Sequence, residues 1–334
     1  MYIVENYSVA VFLCIITMLC WGSWANTQKL SSKKWPFQLF YWDYSIGIFL
    51  ITLLLAFTLG SNGEAGRPFL MDLSQAESNY LMYAFIGGII FNFANLLLVI
   101  AIDLTGMAIA FPIGIGIALV LGVTINYMDT PEGDPLILFF GVLFVAVAII
   151  LDALAYKHIL SSNKKTPTKG IVISLLAGIA MGFFYKYVAQ SMATDFVTPE
   201  AGKLTPYTAL VIFSVGILLS NFIFNTLNMY KPIVGTPVTY KDYFSLGTPK
   251  LHLIGLLGGG IWGIGMSLSI LASEQAGPAI AYGLGQGATL VAALWGVFIW
   301  KEFKGLPASK NWHIWAMFLC FIIGLGLIIY SKVA

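Results

Sequence analysis

Amide side chains inside long apolar stretches are the first residues of this chain able to do chemistry. A polar group surrounded by hydrocarbon is destabilising unless it has a partner or faces a water-filled cavity, so each one is a candidate functional residue. An amide offers hydrogen-bond donors and acceptors together, which suits the recognition of a small polar solute. The amide candidates for binding are Asn26, Asn92, Asn95, Asn221, Asn225 and Gln286.

The spacing of these amides places several of them on shared helix faces. Ser214, Asn221, Asn225 and Asn228 follow one another at intervals of seven, four and three residues, which is helical spacing. Single amides in membrane helices also hold helices together, at about 0.6–2 kcal/mol each. One such contact does not need three amides, so the stripe favours a binding role.

Aromatic residues form a second set of candidates. Trp21 and Trp24 flank Gly22-Ser23 in the middle of an apolar stretch, and Gly/Ser pairs are a known cause of helix kinks. A broken helix near the membrane midplane is typical of a transporter binding site. Trp262, Tyr282 and Tyr185 are further candidates. The alternative for each aromatic residue is that it fills space between helices.

Charged residues are the third set, as candidates for proton coupling or gating. They are Asp43, Asp103, Glu274 and Lys186, each near one end of an apolar stretch. A proton relay needs a carboxylate that changes partners. The alternatives are that Asp43 ends a helix or pairs with Lys29, and that Lys186 extends to the interface or balances Glu274.

Ten helices are predicted to position these residues. The chain is 59% hydrophobic and 10% charged, with a mean hydropathy of +0.87. Its apolar runs reach the roughly 20 residues that cross a bilayer, and such runs must be helical because lipid offers no backbone partners. We predict an all-α integral membrane protein in a lipid bilayer, with spans at about 8–28, 40–60, 80–103, 107–127, 135–155, 170–190, 207–229, 251–273, 278–300 and 312–331.

An internal repeat predicts how the ten helices are arranged. Residues 81–120 recur at 252–291 with an offset of 171, so that Gly87-Gly88 corresponds to Gly258-Gly259 and Asp103 to Glu274. An odd number of spans per half turns the second half upside down relative to the first. We therefore expect two inverted five-helix repeats, residues 1–160 and 170–334, joined by a cytoplasmic hinge loop at 161–169.

The basic residues predict the orientation. The loops after odd-numbered spans hold thirteen Lys residues, whereas the opposite side holds three Lys or Arg residues. By the positive-inside rule, both termini lie outside the cytoplasm. The expected location is the inner, or plasma, membrane of a bacterium.

Three sequence motifs resemble the ureide permease family of plants and its bacterial relatives. They are Tyr2–Asn6, the Gly22-Ser23-Trp24 break with Tyr41–Ile46, and Leu204–Ala209 with Phe213–Gly216. The resemblance implies membership of the drug/metabolite transporter superfamily, whose larger members have ten spans as two inverted repeats. It also implies import of ureides or nucleobases with protons, and it favours Asp43 as the coupling residue. The bacterial branch is also similar to glucose/ribose and rhamnose uptake carriers.

The sequence therefore predicts a secondary transporter that works by alternating access on a small-molecule substrate. A nucleobase or ureide such as uracil or allantoin is the first expectation, a monosaccharide the second, and export of a metabolite or drug a third. An enzyme is not expected, because His158, His252 and His313 stand alone at helix ends. No metal, cofactor or nucleic-acid partner is indicated, and the oligomeric state stays open.

Overall fold

The computed structural model describes residues 1–31, 35–159 and 168–334. Apart from an isolated β-bridge between Met192 and Leu204, the regular structure of these residues is helical. The predicted hinge loop falls mostly on residues 161–167, which lie outside the described part of the chain.

Ten helical segments of the described residues are long and apolar enough to cross a membrane, as predicted. Span 1 consists of α1 Tyr7–Ser23 and α2 Ala25–Ser31, and span 9 consists of α12 Pro278–Gly285, α13 Ala288–Leu294 and the π-helix Trp295–Ile299. Spans 2 to 8 are, in order, α3 Phe37–Phe57, α5 Ser78–Thr105, α6 Met107–Asp129, α7 Pro135–Ile159, α8 Thr168–Ser191, α9 Pro206–Tyr230 and α11 Pro249–Ala276. Span 10 is α14 Trp312–Tyr330. Shorter segments lie in the connections: α4 Phe69–Gln75, α10 Tyr240–Leu246 and the 3₁₀ turn Ala308–Lys310.

Two of the spans are interrupted, span 9 near its middle and span 1 closer to its C-terminal end. Span 1 breaks at Trp24, one residue after the predicted Gly22-Ser23 kink, and span 9 breaks between Gly285 and Ala288. The two breaks face each other, because a Cβ on Gly22 would lie 2.5 Å from the backbone oxygen of Ala288. Only a glycine at this position lets the two spans approach so closely.

The bundle has two distinct ends. At one of them the N-terminal amine of Met1 donates to the backbone of Ala65, and the Tyr7 hydroxyl donates to the backbone of Ile329. We call this the terminal end, since both chain termini lie there. The opposite end carries the ion pair between Lys29 and Glu302, and we call it the basic end because of its Lys-rich loops.

A buried ion pair holds the connections of the terminal end together. The Arg67 Nε donates to Asp72 Oδ1 at 2.7 Å, and Asp72 Oδ2 accepts from the backbone and hydroxyl of Thr205. Arg67 also donates to the backbone oxygen atoms of Glu200 and Lys203. These bonds join the connection after span 2 to the connection after span 6.

Helix packing brings corresponding parts of the two halves into corresponding contacts. Span 1 packs on span 8 and span 6 on span 3, while span 3 packs on span 7 and span 8 on span 2. Gly88 and Gly259, which the sequence repeat relates, make matching close approaches. A Cβ would lie 2.0 Å from the Phe213 oxygen at Gly88 and 1.9 Å from the Tyr44 oxygen at Gly259.

The turns that follow spans 3 and 8 also correspond. Gly106 has a φ of 78° and Gly277 a φ of 83°, and each glycine alone separates two consecutive helices. A side chain would be strained in this backbone region, so glycine is the residue that permits a one-residue turn.

Candidate functional site

A cavity of about 200 Å³ lies between the two halves, at the breaks of spans 1 and 9. It is lined from span 1 by Trp21 and Trp24, from span 8 by Trp262, and from span 9 by Gln286. We call it the deep cavity. Trp21, Trp262 and Gln286 lie near the middles of their spans, which is where secondary transporters place their substrate sites.

Aromatic rings form the walls of the deep cavity. Trp21 and Trp262 stack with their ring planes 10° apart and their centroids 5.7 Å apart. The Phe91 ring lies 4.3 Å from Trp262, and Trp24 lies 4.7 Å from Tyr44. The Trp21 indole nitrogen donates to the backbone oxygen of Trp262, so its ring is fixed in orientation. Fixed flat rings favour stacking with a planar ligand.

Three amides and one hydroxyl are the uncharged polar side chains that line the deep cavity: Gln28, Asn95, Gln286 and Thr289. Gln286 is 8% exposed, and its side chain makes no hydrogen bond to another of the described residues. Asn95 donates its Nδ2 to the Tyr41 hydroxyl at 3.1 Å, and Tyr41 is itself fully buried. The Gln286 amide therefore keeps both its donor and its acceptor for a ligand.

A wider cavity of about 420 Å³ continues from the deep cavity to the basic end, and the two share lining residues that include Gly22, Ala25 and Val99. We call it the vestibule. Asn26 lies here, with its Oδ1 accepting from the Trp300 indole at 2.6 Å. Asp103 lines the vestibule as an exposed residue.

Four of the predicted binding residues lie outside both cavities. Asn221 donates to the Ser45 hydroxyl at 2.5 Å and Asn225 to the Gln38 backbone at 2.8 Å, so both join α9 to α3. Asn92 donates to Ser220 at 2.7 Å and joins α5 to α9. The fourth, Tyr282, is completely buried and donates to backbone oxygen atoms of α6 and α8.

Asp43 also lies away from both cavities, in a cluster with His252 and Tyr243. The Asp43 carboxylate is 2.9 Å from His252 Nδ1 and accepts from the Tyr243 hydroxyl. The expected alternative pairing of Asp43 with Lys29 is not made, since the Lys29 ammonium lies 2.5 Å from Glu302. The expectation that His252 stands alone is wrong, because α11 places it against a carboxylate 209 positions earlier in the chain.

The two remaining charged candidates lie at the terminal end. Glu274 lines a pocket of about 380 Å³ there, and its Oε1 accepts from the Phe196 backbone at 2.6 Å. Lys186 does not balance Glu274, because its ammonium pairs with Asp129 at 2.9 Å. Asp103 and Glu274, related by the repeat, thus lie at opposite ends of the bundle.

Several lining residues were not among the sequence candidates, although the repeat indicates them. The offset of 171 relates Phe91 to Trp262 and Ile115 to Gln286, and all four line the deep cavity. At a different offset, of 160, Trp21–Trp24 aligns with Met181–Phe184, and Met181 and Phe184 also line the deep cavity. The repeat offset therefore indicates part of the lining, namely Phe91 from Trp262 and Ile115 from Gln286.

Comparison with known proteins assigns the chain to a family. The sequence profile of the ureide permease family matches residues 40–169 and 155–331. Ureide permease 1 of Arabidopsis thaliana is 24% identical over 389 aligned positions, which cover 99% of each chain, and Ureide permease 2 of the same plant is 24% identical over 400 positions, again covering 99% of each.

Two more distant proteins also align with almost the whole chain. A putative sugar uptake protein, YxfA of Lactococcus lactis, is 22% identical over 96% of this chain and 94% of its own length. A solved crystal structure shares the fold with a TM-score of 0.59 at 14% identity, covering 97% of this chain and 99% of the other. Members of the matched family are transporters and not enzymes. Because the family profile matches most of its length, this chain belongs to the ureide permease family.

Proposed function

We propose that this protein is a secondary transporter that imports a small planar polar solute, either a nucleobase or a ureide, by alternating access. The observation that carries the proposal is the deep cavity, where tryptophan rings lie beside the Gln286 amide, which has no hydrogen-bond partner among the described residues. The names of the plant relatives, ureide permeases, indicate the same class of solute.

The geometry of the deep cavity fits a flat ring with N–H and C=O groups at its edge. Its face would lie against Trp21 or Trp262, since their stacked rings present planar surfaces. Its edge would exchange one donor and one acceptor with the Gln286 amide. Asn95 provides a second polar contact on the opposite half of the protein.

Alternating access in this protein would use two inverted five-helix repeats. The helix contacts support this arrangement. In an inverted repeat span 1 corresponds to span 6 and span 3 to span 8, and accordingly span 1 packs on span 8 while span 6 packs on span 3. The matching close approaches at Gly88 and Gly259 support it further. The deep cavity lies where Phe91 meets its repeat partner Trp262, which is where a pseudo-two-fold axis would pass.

The orientation we propose places the basic end in the cytoplasm. Its loops hold most of the Lys residues of the chain. The vestibule would then connect the deep cavity to the cytoplasmic side, and the bonds of Arg67 and Asp72 would help to close the outer side. The membrane we propose is the plasma membrane.

Ligand binding to purified protein in detergent tests this proposal. Because three tryptophans line the deep cavity, a ligand that stacks there should change the intrinsic fluorescence. We expect uracil or allantoin to change it in a saturable way, and ribose and glucose to leave it unchanged. A saturable response to a sugar alone would contradict the assignment of a planar heterocycle.

The second candidate function is uptake of a monosaccharide. The observation in its favour is the similarity to the putative sugar uptake protein of Lactococcus lactis, which extends over almost the whole chain. Amides bind sugar hydroxyl groups, and aromatic faces also pack against sugar rings. The same fluorescence titration therefore separates the two candidates.

A further inference from the structure

The vestibule contains a carboxylate that the proposed binding site does not use. Asp152 of α7 lines the vestibule one helical turn before Tyr156. Its Oδ1 is buried and makes no hydrogen bond within the described part of the chain. Most buried polar groups in proteins have a partner, so an exception inside a transport pathway requires a functional explanation.

The neighbouring acid, Glu302, is already neutralised. Its Oε1 lies 2.5 Å from the Lys29 ammonium, and its Oε2 accepts a short hydrogen bond from the Tyr156 hydroxyl. Lys29 also lies over the Trp300 ring, 4.1 Å from its centroid. Lys29 thus pairs with Glu302, and within residues 1–31, 35–159 and 168–334 Asp152 makes no ion pair.

In the part of the chain that the structure describes, the other elements around Asp152 do not pair it with a cation either. The first ionisable side chain of α6 is Tyr127, near the terminal end. At the vestibule α6 contributes the apolar Phe111. α5 contributes Asp103, which is exposed. α14 contributes His313 at the basic end, where its ring lies 5.3 Å from His158 of α7.

Asp43, the coupling residue that the family resemblance favours, has a different environment. Its carboxylate is occupied by His252 and Tyr243, and it lies outside both cavities. Gly255 is packed against it so closely that a Cβ there would lie 2.4 Å from the Asp43 Cβ. These contacts hold the Asp43 carboxylate away from the residues that line the two cavities.

We propose that the proton coupling implied by the family resemblance runs through Asp152, whose carboxylate binds the proton; this inference rests on the proposed function. With the vestibule closed, a proton that enters from the outer side adds to the ionised carboxylate and gives the neutral acid, and no other bond changes. The closed vestibule keeps Asp152 away from water, which disfavours the ionised form and retains the proton. Opening the vestibule to the cytoplasm returns Asp152 to water, so the carboxyl group ionises and releases the proton to the cytoplasmic side.

Infrared spectroscopy on the intact protein tests proton binding without any substrate. Spectra of the wild type recorded from mildly acidic to mildly alkaline pH should show a protonated-carboxyl C=O band that disappears as the pH rises. We expect Asp152→Asn to lack this band, and Asp43→Asn and Asp103→Asn to retain it. A wild type without the band, or an Asp152→Asn protein that retains it, would overturn the proposal.

Transport assays then test coupling in liposomes that contain the same variants. Asp152→Asn imitates the neutral acid, so it should lose accumulation driven by a proton gradient and keep exchange of labelled for unlabelled solute. Asp152→Glu should restore part of the accumulation. Accumulation by Asp152→Asn at the wild-type level contradicts the proposal. Failure of the wild type to exchange any heterocycle would count against the proposed function, while the infrared result would still decide whether Asp152 binds a proton.

Discussion

Buried amides in the membrane-spanning helices have two different roles. Gln286 and Asn95 line the deep cavity, whereas Asn221 and Asn225 donate across the interface of α9 and α3. In both of the latter residues the Oδ1 has no partner within the described residues. The difference between the two groups lies in the helix face that each residue occupies.

For Gln286→Leu we expect a loss of affinity for the heterocycle of about 10- to 100-fold, since one missing hydrogen bond leaves a ligand group unpaired at about 1–3 kcal/mol. Binding is measured by the fluorescence titration. Asn228→Leu is the matched control, because it removes an amide near the end of α9, outside both cavities. Equal affinities for the wild type and Gln286→Leu would remove Gln286 from the site.

Trp21→Ala tests the stacking surface. Loss of the ring should weaken heterocycle binding by about tenfold, corresponding to about 1.4 kcal/mol, while Trp21→Phe should retain part of the affinity. Trp315→Ala is the control, since this side chain is 69% exposed on the outside of α14. If all three variants bind like the wild type, the ligand does not lie against Trp21.

Sequence alone could identify the polar and aromatic residues but could not sort them. The helical spacing of Asn221, Asn225 and Asn228 predicts that they share one face of a helix. Spacing does not show whether that face contacts a cavity or a neighbouring helix. Asp43 and His252 are 209 positions apart, so their contact depends on the packing of α3 against α11. Such contacts follow from tertiary structure and not from local pattern.

At the scale of helices, glycines determine how closely the spans approach. Gly88 of α5 lies against α9, and Gly259 of α11 lies against α3, in each case touching a backbone oxygen atom. Close approach of this kind is how helices associate in lipid, where no hydrophobic driving force acts between them. These glycines therefore belong to the interfaces that hold span 2 and span 7 in place.

Gly88→Ala and Gly259→Ala should each lower the stability of the protein by about 1–3 kcal/mol, since the added methyl group would overlap a backbone oxygen and force the helices apart. Thermal unfolding in detergent measures the effect. Gly260→Ala is the matched control on α11, because no atom lies within 4 Å of the Cβ position. An equal melting temperature for Gly259→Ala and Gly260→Ala would contradict the close packing.

The sequence predicted the existence and approximate bounds of all ten spans, because apolar length is a strong signal in membrane proteins. It also indicated the interruption of span 1, which the structure places at Trp24. It did not indicate α4 or α10, since helices of seven residues in connecting segments have no span-length apolar pattern. The break of span 9 was missed as well, although Gly285 and Gly287 mark it.

At the scale of the whole molecule, the chain is a bundle of spans with both termini at one end and the Lys-rich loops at the other. This arrangement follows from an even number of spans. The deep cavity opens through the vestibule toward the basic end, and a separate pocket with Glu274 lies at the terminal end. The Glu274 pocket shares no lining residue with the deep cavity, so the vestibule is the part of this arrangement that joins the deep cavity to one end.

Single cysteines at the two ends test the orientation that we propose. Asn62→Cys at the terminal end and Lys241→Cys at the basic end are both in exposed positions. We expect a membrane-impermeant thiol reagent added to intact cells to label Asn62→Cys, and to label Lys241→Cys only after permeabilisation. The unsubstituted protein, with Cys14, Cys20 and Cys320 in its spans, is the control. The reverse pattern would place the termini in the cytoplasm.

Uptake into liposomes containing the purified protein tests the central claim, transport of a planar polar heterocycle through the deep cavity, most directly. Labelled uracil, allantoin, ribose and glucose are compared for the wild type and for Gln286→Leu. We expect uptake of uracil or allantoin by the wild type and a marked reduction in Gln286→Leu, with no uptake of either sugar. Uptake of a sugar alone, or heterocycle uptake unaffected by Gln286→Leu, would contradict the claim.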